Sequence, residues 1–366
     1  MSQKVTILGC GRWASFHAWY QATVLGADVL MWGRRGDPMF ESLRETRKND
    51  FLTLPQNITL SNDLEKAISF SEVIMIIISA QGMRDLSKRI AKILAEGTGG
   101  GRKIFVLCMK GIDEETHETL SQLMRRELDA VLKPMTSKTE TSIVVWVGPG
   151  HAQEFLSGQP GVMIIDGEDR DVALEIVERF KSDSMKLYLG DDLIGAEIGA
   201  AAKNVFGIAA GILDGAGLQS LKGALMSRGL HEVSRLIVAM GGKKLTPYGL
   251  SHLGDFEATL FSRNSNNRRF GEAIIKFIKD GNCNNLRSDC FRSGQIINRC
   301  QEKDCRLREL ALAEGVATSL AIYNLGKKYN VDLPISNLIY RVLHEGADPF
   351  TGFKELFFRS NNKEFS

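Results

Sequence analysis

The sequence predicts an α/β domain built on a doubly wound sheet over residues 1–193, followed by an all-α domain over residues 194–366. Two observations predict this division. Short apolar runs rich in Val, Ile and Leu alternate with amphipathic stretches in the first part, and strand-like runs stop after about Leu193. Continuous apolar strands that alternate with helices are typical of a parallel sheet covered on both faces.

The predicted strands are short and are bounded by Gly, Asp or other polar residues. They cover residues 5–8, 29–32, 73–78, 104–108 and 143–147, and residues 162–165 and 185–189 extend the same sheet. The helices predicted among them cover residues 83–96, 116–131 and 171–182. In the second domain, helical patterns cover residues 194–213, 221–240, 267–279, 306–328 and 335–344, and the polar residues 280–303 are predicted to be an insertion or loop.

The composition excludes several function classes. The chain has 366 residues, of which 43% are hydrophobic and 25% charged, and its formal net charge is +2. This balance argues against a nucleic-acid-binding or membrane-surface protein. We expect no apolar run of membrane-spanning length. Because the N-terminus enters a strand with no signal-peptide pattern, we expect a cytoplasmic protein.

The six cysteines do not predict a metal site. Cys10 and Cys108 lie at the ends of predicted strands and are expected to be reduced. The other four lie in one polar segment: Cys283, Cys290, Cys300 and Cys305. Their spacings differ from the close pairs of structural zinc sites, so we expect free thiols there and no metal.

A glycine turn follows the first predicted strand. Gly9, Gly11 and Ala14 form the pattern GxGxxA between that strand and a predicted helix. In the Rossmann dinucleotide fingerprint the first Gly permits the tight turn, and the second lets a pyrophosphate approach the backbone. The N-terminus of the following helix then donates hydrogen bonds to it. The context predicts a Rossmann-like cofactor site that includes Gly9, Gly11, Arg12 and Trp13.

The end of the second strand bears on the choice of cofactor. Arg34 and Arg35 stand where an acidic residue would bind the adenosine ribose. Guanidinium groups suit a 2′-phosphate, which favours NADP over NAD. The alternative is a pair of solvated arginines, with Asp37 near enough to bind the ribose instead.

Lys203 is an ammonium group in an otherwise small and apolar helix. Its neighbours at helical spacing, from Ala196 to Ala210, are Ala, Gly or Phe. A buried lysine needs a carboxylate or a substrate beside it. The pattern therefore favours a functional lysine over one on an exposed stripe.

Nine short motifs resemble a known family. The chain is similar to the NAD(P)-dependent glycerol-3-phosphate dehydrogenases of the soluble, bacterial type. The matching stretches are residues 9–14 (GCGRWA), 109–113 (MKGID), 148–149 (GP), 202–205 (AKNV), 228–232 (RGLHE), 253–255 (LGD), 267–271 (NRRFG), 313–315 (AEG) and 333–335 (LPI). One such motif is weak, but the ordered set covers almost the whole chain.

The resemblance implies a reaction. Family members interconvert dihydroxyacetone phosphate and sn-glycerol 3-phosphate with NAD(P)H, which supplies glycerol 3-phosphate for phospholipid synthesis. Hydride transfer to the C2 carbonyl leaves an alkoxide that needs a proton. The resemblance implies that Lys203 gives this proton, that Lys110 lies near the same oxygens and that Asp255 pairs with the lysine. It also implies a homodimer and NAD(P) as cofactor; with Arg34 and Arg35 we expect NADP, with NAD possible.

The resemblance implies further binding residues. For the substrate they are Lys110, Gly148, Asn204, Thr259, Ser265, Asn266, Asn267 and Arg268. For the cofactor they are Gly9, Gly11, Arg12, Trp13, Arg34, Arg35, Lys110, Ala152 and Glu314. Without the resemblance, Lys110 could equally be an ordinary strand-end lysine and Asp255 a helix N-cap.

Two departures from the family pattern concern the substrate. Asn266 stands where the family carries an arginine, and a neutral amide binds phosphate more weakly than a guanidinium. Arg263, Arg268 or Arg269 could restore the contact, or all three could lie on the surface. His151 follows Gly150 where relatives carry Thr or Ser and then an aromatic residue; it could compensate or pack at a helix start.

These departures leave two alternatives open. One is an NADP-dependent dehydrogenase of a different phosphorylated polyol, with an architecture like that of the phosphogluconate and hydroxyacid dehydrogenases. The other is a non-catalytic cofactor-binding redox sensor. The set of Lys110, Lys203 and Asp255 argues against the first, and the presence of both lysines argues against the second.

Overall fold

The computed structural model describes residues 3–97, 101–134, 139–262, 265–279 and 314–357. The chain divides into two compact units, Met1–Glu197 and Ile198–Ser366. The division falls inside a long helix, a little beyond the boundary expected at Leu193. An α/β first unit followed by a helical second unit confirms the predicted fold class. The four cysteines between residues 283 and 305 lie outside the described residues.

The first unit is built on one sheet. Its strands are Lys4–Leu8 (β1), Asp28–Trp32 (β2), Ile58–Ser61 (β3), Val73–Ile76 (β4), Arg102–Leu107 (β5), Glu140–Val147 (β6), Gly161–Gly167 (β7) and Met185–Leu189 (β8). The order is β3-β2-β1-β4-β5-β6-β7-β8. Neighbouring strands are parallel except β6 and β7, which are antiparallel. The order of the first six strands is that of a dinucleotide-binding sheet.

The central strands are apolar because helices cover both faces. Val5 and Ile7 of β1 and Ile74 of β4 are fully buried, as expected for a parallel sheet. Strand β3 was missed by the sequence analysis. Only the first of its four residues, ITLS, is buried, and the strand lacks the continuous apolar run on which the other predictions rest.

Seven helices accompany the sheet in the described part of the first unit: Arg12–Trp19 (α1), Pro38–Thr46 (α2), Leu64–Phe70 (α3), Met83–Ala95 (α4), Leu120–Leu132 (α5), Ala152–Leu156 (α6) and Arg170–Phe180 (α7). Helix α5 begins later than residue 116, where it was predicted to start. Thr119 is the reason, because its hydroxyl accepts from Gln122 N at 3.4 Å and its own N–H donates to Gln122 Oε1 at 3.1 Å. This reciprocal cap fixes the first turn.

Helix α1 buries a histidine among aromatic rings. The His17 ring lies 4.6 Å from the Trp13 ring and 4.7 Å from the Trp146 ring, measured between centroids. Neither ring nitrogen has a hydrogen-bond partner among the described residues. Burial lowers the pKa of His17 to about 3, so the ring is neutral at ordinary pH.

The described part of the second unit is helical. Its helices are Leu193–Ala216 (α8, which begins in the first unit), Lys222–Ala239 (α9), Asp255–Phe261 (α10), Asn266–Lys279 (α11), Glu314–Lys328 (α12), Pro334–Tyr340 (α13) and Pro349–Phe357 (α14). A π-helical turn, Leu250–Gly254, leads directly into α10.

Helix α8 corrects the expectation that no apolar run reaches membrane-spanning length. Among the described helices it is the one long and apolar enough for that, with a mean hydropathy of 1.3 over its most apolar window. However, 83% of that window is buried inside the protein. This burial is what the core helix of a helical domain requires.

Candidate active site

The turn after β1 contains two glycines, and a different physical reason favours glycine at each position. Gly9 has φ +136°, and a Cβ on it would lie 2.0 Å from the carbonyl oxygen of Ile77. The fold itself therefore requires glycine at this position. A Cβ on Gly11 would meet nothing within 4 Å. Packing within the protein does not require glycine there, and Gly11 holds the position of the dinucleotide fingerprint at which a pyrophosphate approaches the backbone.

The first turn of α1 suits an anionic group. Gly11 is the N-cap of α1 and offers no side chain to the exposed N–H groups of that turn. These donors and the positive end of the helix dipole favour a pyrophosphate. Beside them, the Arg12 guanidinium lies 4.1 Å from the centre of the Phe51 ring, and Trp13 stacks on Phe16 at 5.1 Å. The residues present therefore fit a dinucleotide.

Both candidate readers of the adenosine ribose lie at the end of β2. Arg34 and Arg35 are exposed. Asp37 caps α2, and its Oδ1 accepts from Met39 N at 3.0 Å. Burial, followed by the charge of Asp37 and a hydrogen bond to it, raises the pKa of Cys10 to about 12. The charge of Asp37 thus acts on the glycine turn, and the end of β2 carries both guanidinium groups that suit a 2′-phosphate and a carboxylate that suits a ribose hydroxyl.

Lys110 and Gly148 meet at the carboxyl ends of neighbouring parallel strands. Lys110 follows β5, and its Nζ donates to Gly148 O at 3.0 Å. Gly148 follows β6 with φ +138°, and a Cβ on it would lie 3.0 Å from Met163 Cα. Ala152 begins α6 and is 3% exposed. These three predicted residues belong to the edge of the sheet at which ligands bind in this class of fold.

His151 lies at a helix start. It is the N-cap of α6, and its N–H donates to Glu154 Oε2 at 3.2 Å. Of the two alternatives for His151, a substitute for a missing pocket hydroxyl or a residue that packs at a helix start, this position agrees with packing at a helix start.

Helix α8 carries a glycine stripe, which we define as Gly199, Gly207, Gly211 and Gly215. Residues four apart are neighbours on a helix surface, and a row of them winds slowly round the helix axis. The spacing is regular except for one position, and Lys203 occupies it. The lysine therefore lies in the same row as the four glycines, between Gly199 and Gly207.

The residues that pack on the glycine stripe come too close for side chains. A Cβ on Gly211 would lie 1.9 Å from Arg268 O, and one on Gly207 would lie 2.9 Å from Thr259 Cγ2. Real Cβ atoms do not make such contacts. The stripe thus brings α10 and α11 directly onto the backbone of α8 and leaves Lys203 facing them.

Lys203 is paired with Asp255. Its Nζ lies 2.5 Å from Asp255 Oδ1, and the two side chains are 11% and 2% exposed. Asp255 is the first residue of α10, and Thr259 one turn later donates its hydroxyl to Asp255 O at 2.7 Å. A buried ammonium needs this compensation because an uncompensated buried charge is costly.

A network of amide and carboxylate groups joins three helices, α8, α11 and α12. Asn204 Nδ2 donates to Glu314 Oε2 at 3.3 Å, and Asn204 Oδ1 accepts from Asn267 Nδ2 at 3.0 Å. Asn267 Oδ1 in turn accepts from Gly315 N at 3.0 Å. The structure therefore brings the predicted residues Asn204, Asn267 and Glu314 together. Asn204 is the residue that follows Lys203 in sequence.

The predicted phosphate-binding residues lie at the start of α11. Ser265 Oγ accepts from Arg268 N at 3.3 Å, and Asn266 is exposed as the first residue of the helix. Arg268 is engaged by carboxylates instead, with Nη1 2.9 Å from Asp214 Oδ2 and 3.4 Å from Glu272 Oε2. Arg263 lies outside the described residues.

Arg268 borders an open cleft of about 300 Å³. Lys222 lies on the same cleft, and its Nζ is 2.9 Å from Asp214 Oδ1. Asp214 is thus shared between two cations. An incoming phosphate would have to replace this carboxylate as a partner of Arg268.

Sequence comparisons decide the family. The N-terminal model of the NAD-dependent glycerol-3-phosphate dehydrogenases matches residues 4–173, and their C-terminal model matches residues 192–354. The glycerol-3-phosphate dehydrogenase (NAD(P)+) 2 of Salinibacter ruber is 32% identical over 100% of this chain and 97% of its own length. The enzyme of Halothermothrix orenii gives the same identity and coverage. The chain belongs to the NAD-dependent glycerol-3-phosphate dehydrogenase family.

Solved glycerol-3-phosphate dehydrogenases have the same fold. The crystal structure from Coxiella burnetii superposes with a TM-score of 0.80 at 24% identity, over 98% of this chain and 99% of that one. The structure from Plasmodium falciparum gives 0.75 at 19% identity, over 99% and 96%. The family suggested by the ordered motifs is confirmed, whereas the roles of individual residues stay predictions.

Proposed function

We propose that the protein reduces dihydroxyacetone phosphate to sn-glycerol 3-phosphate, and catalyses the reverse reaction, with NADP(H) or NAD(H). The observation that carries this proposal is the buried pair of Lys203 and Asp255, which the glycine stripe of α8 presents to α10. An enzyme that reduces a ketone needs a positioned proton donor beside the developing alkoxide.

The cofactor belongs to the first unit in this proposal. Gly9, Gly11 and the first turn of α1 hold the pyrophosphate, and Arg12 and Trp13 line the same turn. Ala152 and Glu314 are proposed to approach the cofactor as the family resemblance implies. When bound, the reduced nicotinamide supplies the hydride.

Lys203 performs the proton transfer. In the reductive direction its ammonium delivers a proton to the C2 oxygen as the hydride arrives at C2, so that a ketone becomes a secondary alcohol. In the oxidative direction the amine takes the proton back. Asp255 Oδ1 orients the ammonium and balances its charge. The Asn204–Asn267–Glu314 network fixes the amide that faces the substrate.

Two further groups complete the substrate site in this proposal. Lys110, held by Gly148 O, contacts the same oxygens of the substrate. The phosphate lies at the N-terminus of α11, where Asn266 and the first-turn N–H groups other than that of Arg268 replace the family arginine. Thr259 and Ser265 hold the ends of α10 and α11 in place.

Turnover with purified protein tests this function. We expect NADPH absorbance at 340 nm to fall when dihydroxyacetone phosphate is added, and to stay constant with unphosphorylated dihydroxyacetone. NADH in parallel measures the cofactor preference. If another phosphorylated ketone is the one that is turned over, the protein is a dehydrogenase of a different phosphorylated polyol. If NADPH binds and no ketone is turned over, the result favours a non-catalytic redox sensor.

Three further proposals concern the setting of the enzyme. From the family resemblance we propose that it is a homodimer and that its product serves phospholipid synthesis, and from the N-terminal sequence we propose that it is cytoplasmic. Analytical ultracentrifugation of the purified chain tests the dimer.

A further inference from the structure

A second contact lies one turn away from the Lys203–Asp255 pair. His252 Nδ1 is 2.7 Å from Gly199 O, and the histidine is completely buried. A carbonyl oxygen only accepts, so Nδ1 must carry the proton. Burial lowers the pKa of His252 to about 4, with Asp255 raising it and Lys203 lowering it. The ring is therefore a neutral donor beside the pair.

The two contacts form a ladder between α8 and the segment that carries Asp255. On α8, Gly199 and Lys203 are four residues apart; on the facing segment, His252 and Asp255 are three apart. In an α-helix the carbonyl of residue 199 is the acceptor for the amide of residue 203. His252 thus binds the peptide oxygen directly below the lysine.

The position of His252 explains how this contact reaches Asp255. His252 lies in the π-helical turn Leu250–Gly254, and α10 begins at the next residue with Asp255 itself. A Cβ on Gly199 would lie 2.9 Å from His252 Cβ. The first glycine of the stripe is therefore the one that admits the histidine, and movement of this turn moves the carboxylate.

We propose that His252 is a positioning residue for the reaction: its Nδ1–H bond to Gly199 O fixes the start of α10 and so holds the Asp255 carboxylate on the Lys203 ammonium. His252 does not contact the reacting atoms in this account. Its imidazole is neutral over the working pH range, and the hydrogen bond is its contribution. This inference rests on the proposed role of Lys203.

Four variants test it. His252→Asn keeps a donor near the position of Nδ1, His252→Gln moves the donor to the position of Nε2, and His252→Leu removes it. Ser251→Ala is the matched control, because Ser251 is equally buried in the same turn and its hydroxyl has no partner among the described residues. For each, kcat and KM are measured with NADPH and dihydroxyacetone phosphate, together with the melting temperature.

We expect His252→Leu to lower kcat about 10- to 100-fold, because a substitution away from the reacting atoms that misplaces a catalytic group can have an effect of about that size, with KM changed less than about threefold. The kcat of His252→Asn should lie within about threefold of the wild-type value, and the kcat of Ser251→Ala should equal the wild-type value. Full activity of His252→Leu would overturn the inference. If that variant does not fold, equal kcat values for His252→Asn and His252→Gln would overturn it.

A measurement without turnover separates this inference from the proposed function. The pH dependence of Lys203 acylation by acetic anhydride, read by peptide mass spectrometry, reports the proton affinity of its amine. We expect the midpoint to fall by about one pH unit in His252→Gln, because an ammonium loses stabilisation when its carboxylate partner moves away. An unchanged midpoint would overturn the positioning role even if the wild type reduces no ketone.

Discussion

The two units of the chain use glycine in different ways to build the candidate groups that each unit carries. In the first unit Gly9 adopts a positive φ at the end of a strand, where the chain turns into α1. In the second unit the four stripe glycines lie inside α8, and they let the side chains and backbone of other segments come close. The first use is local in sequence, and the second depends on contacts between distant segments.

This difference explains which parts of the site could be predicted. The glycine turn is legible because strand, turn and helix are adjacent in sequence. The Lys203–Asp255 pair joins residues 52 positions apart, and periodicity alone gave the lysine but not its partner. Asp255 came from the family resemblance.

The stripe and His252 were missed for separate reasons. The spacing of four residues from Gly199 to Gly215 is visible in the sequence and could have predicted a closely packed helix face. His252 gives no such signal, since a single histidine between Ser251 and Leu253 fits a surface turn equally well. Its burial depends on Gly199, which lies in another helix.

The fold was predicted best where burial is complete. Strands β1, β2, β4 and β5 have continuous apolar sequences and were predicted. Short amphipathic elements such as α2 and α3 were missed because seven to nine residues contain few turns of periodicity. The antiparallel direction of β7 cannot be read from its composition.

The largest expected effect comes from filling the stripe. Gly211→Ala places a Cβ 1.9 Å from Arg268 O, and α11 must move away. We expect a loss of about 3 kcal/mol or more in the free energy of unfolding, measured by thermal unfolding followed by circular dichroism. Gly223→Ala on α9 is the control, since a Cβ there meets nothing within 4 Å. A comparable loss of stability in both variants would show that close packing on the glycine stripe is not the cause.

The turn glycines should separate stability from cofactor binding. Gly9→Ala forces both a strained φ and a contact with Ile77 O, so we expect it to lose about 2 kcal/mol of stability and most NADPH binding. Gly11→Ala should keep its stability and weaken the Kd of NADPH about tenfold or more, which is about 1.4 kcal/mol. Fluorescence titration measures the affinity. Unchanged binding by Gly11→Ala would mean that no ligand approaches there.

Substitutions of the residues that follow β2 should change the affinity for one cofactor more than for the other. Replacing Arg34 and Arg35 by Gln should weaken NADPH about 10- to 100-fold, because charged hydrogen bonds contribute about 1.5–3 kcal/mol, and should leave NADH nearly unchanged. Asp37→Asn should weaken the binding of NADH more than that of NADPH. An equal loss for NADH and NADPH in the arginine variant would show that these residues do not bind the 2′-phosphate.

The smallest effect concerns pH and the first unit. His17 stays neutral when folded, whereas the unfolded chain takes up a proton as the pH falls below about 6.5. Wild-type stability relative to His17→Phe should therefore fall with decreasing pH, by about 1.4 kcal/mol per unit between roughly pH 5.5 and 3.5. Urea unfolding followed by tryptophan fluorescence measures this, since all four tryptophans lie in the first unit. A pH-independent difference would contradict the burial of a neutral ring.

The most direct test compares two buried lysines. Lys203 is paired with a carboxylate, whereas Lys103 in β5 donates to the carbonyls of Ile68 and Ser71, each at 2.8 Å. We predict that Lys203→Met lowers kcat about 10³-fold, within the range for loss of a general acid, while its Kd for NADPH stays within about twofold of the wild type. Lys103→Met should keep its kcat. A Lys203→Met enzyme that retains most of its kcat would contradict the assignment of the proton donor.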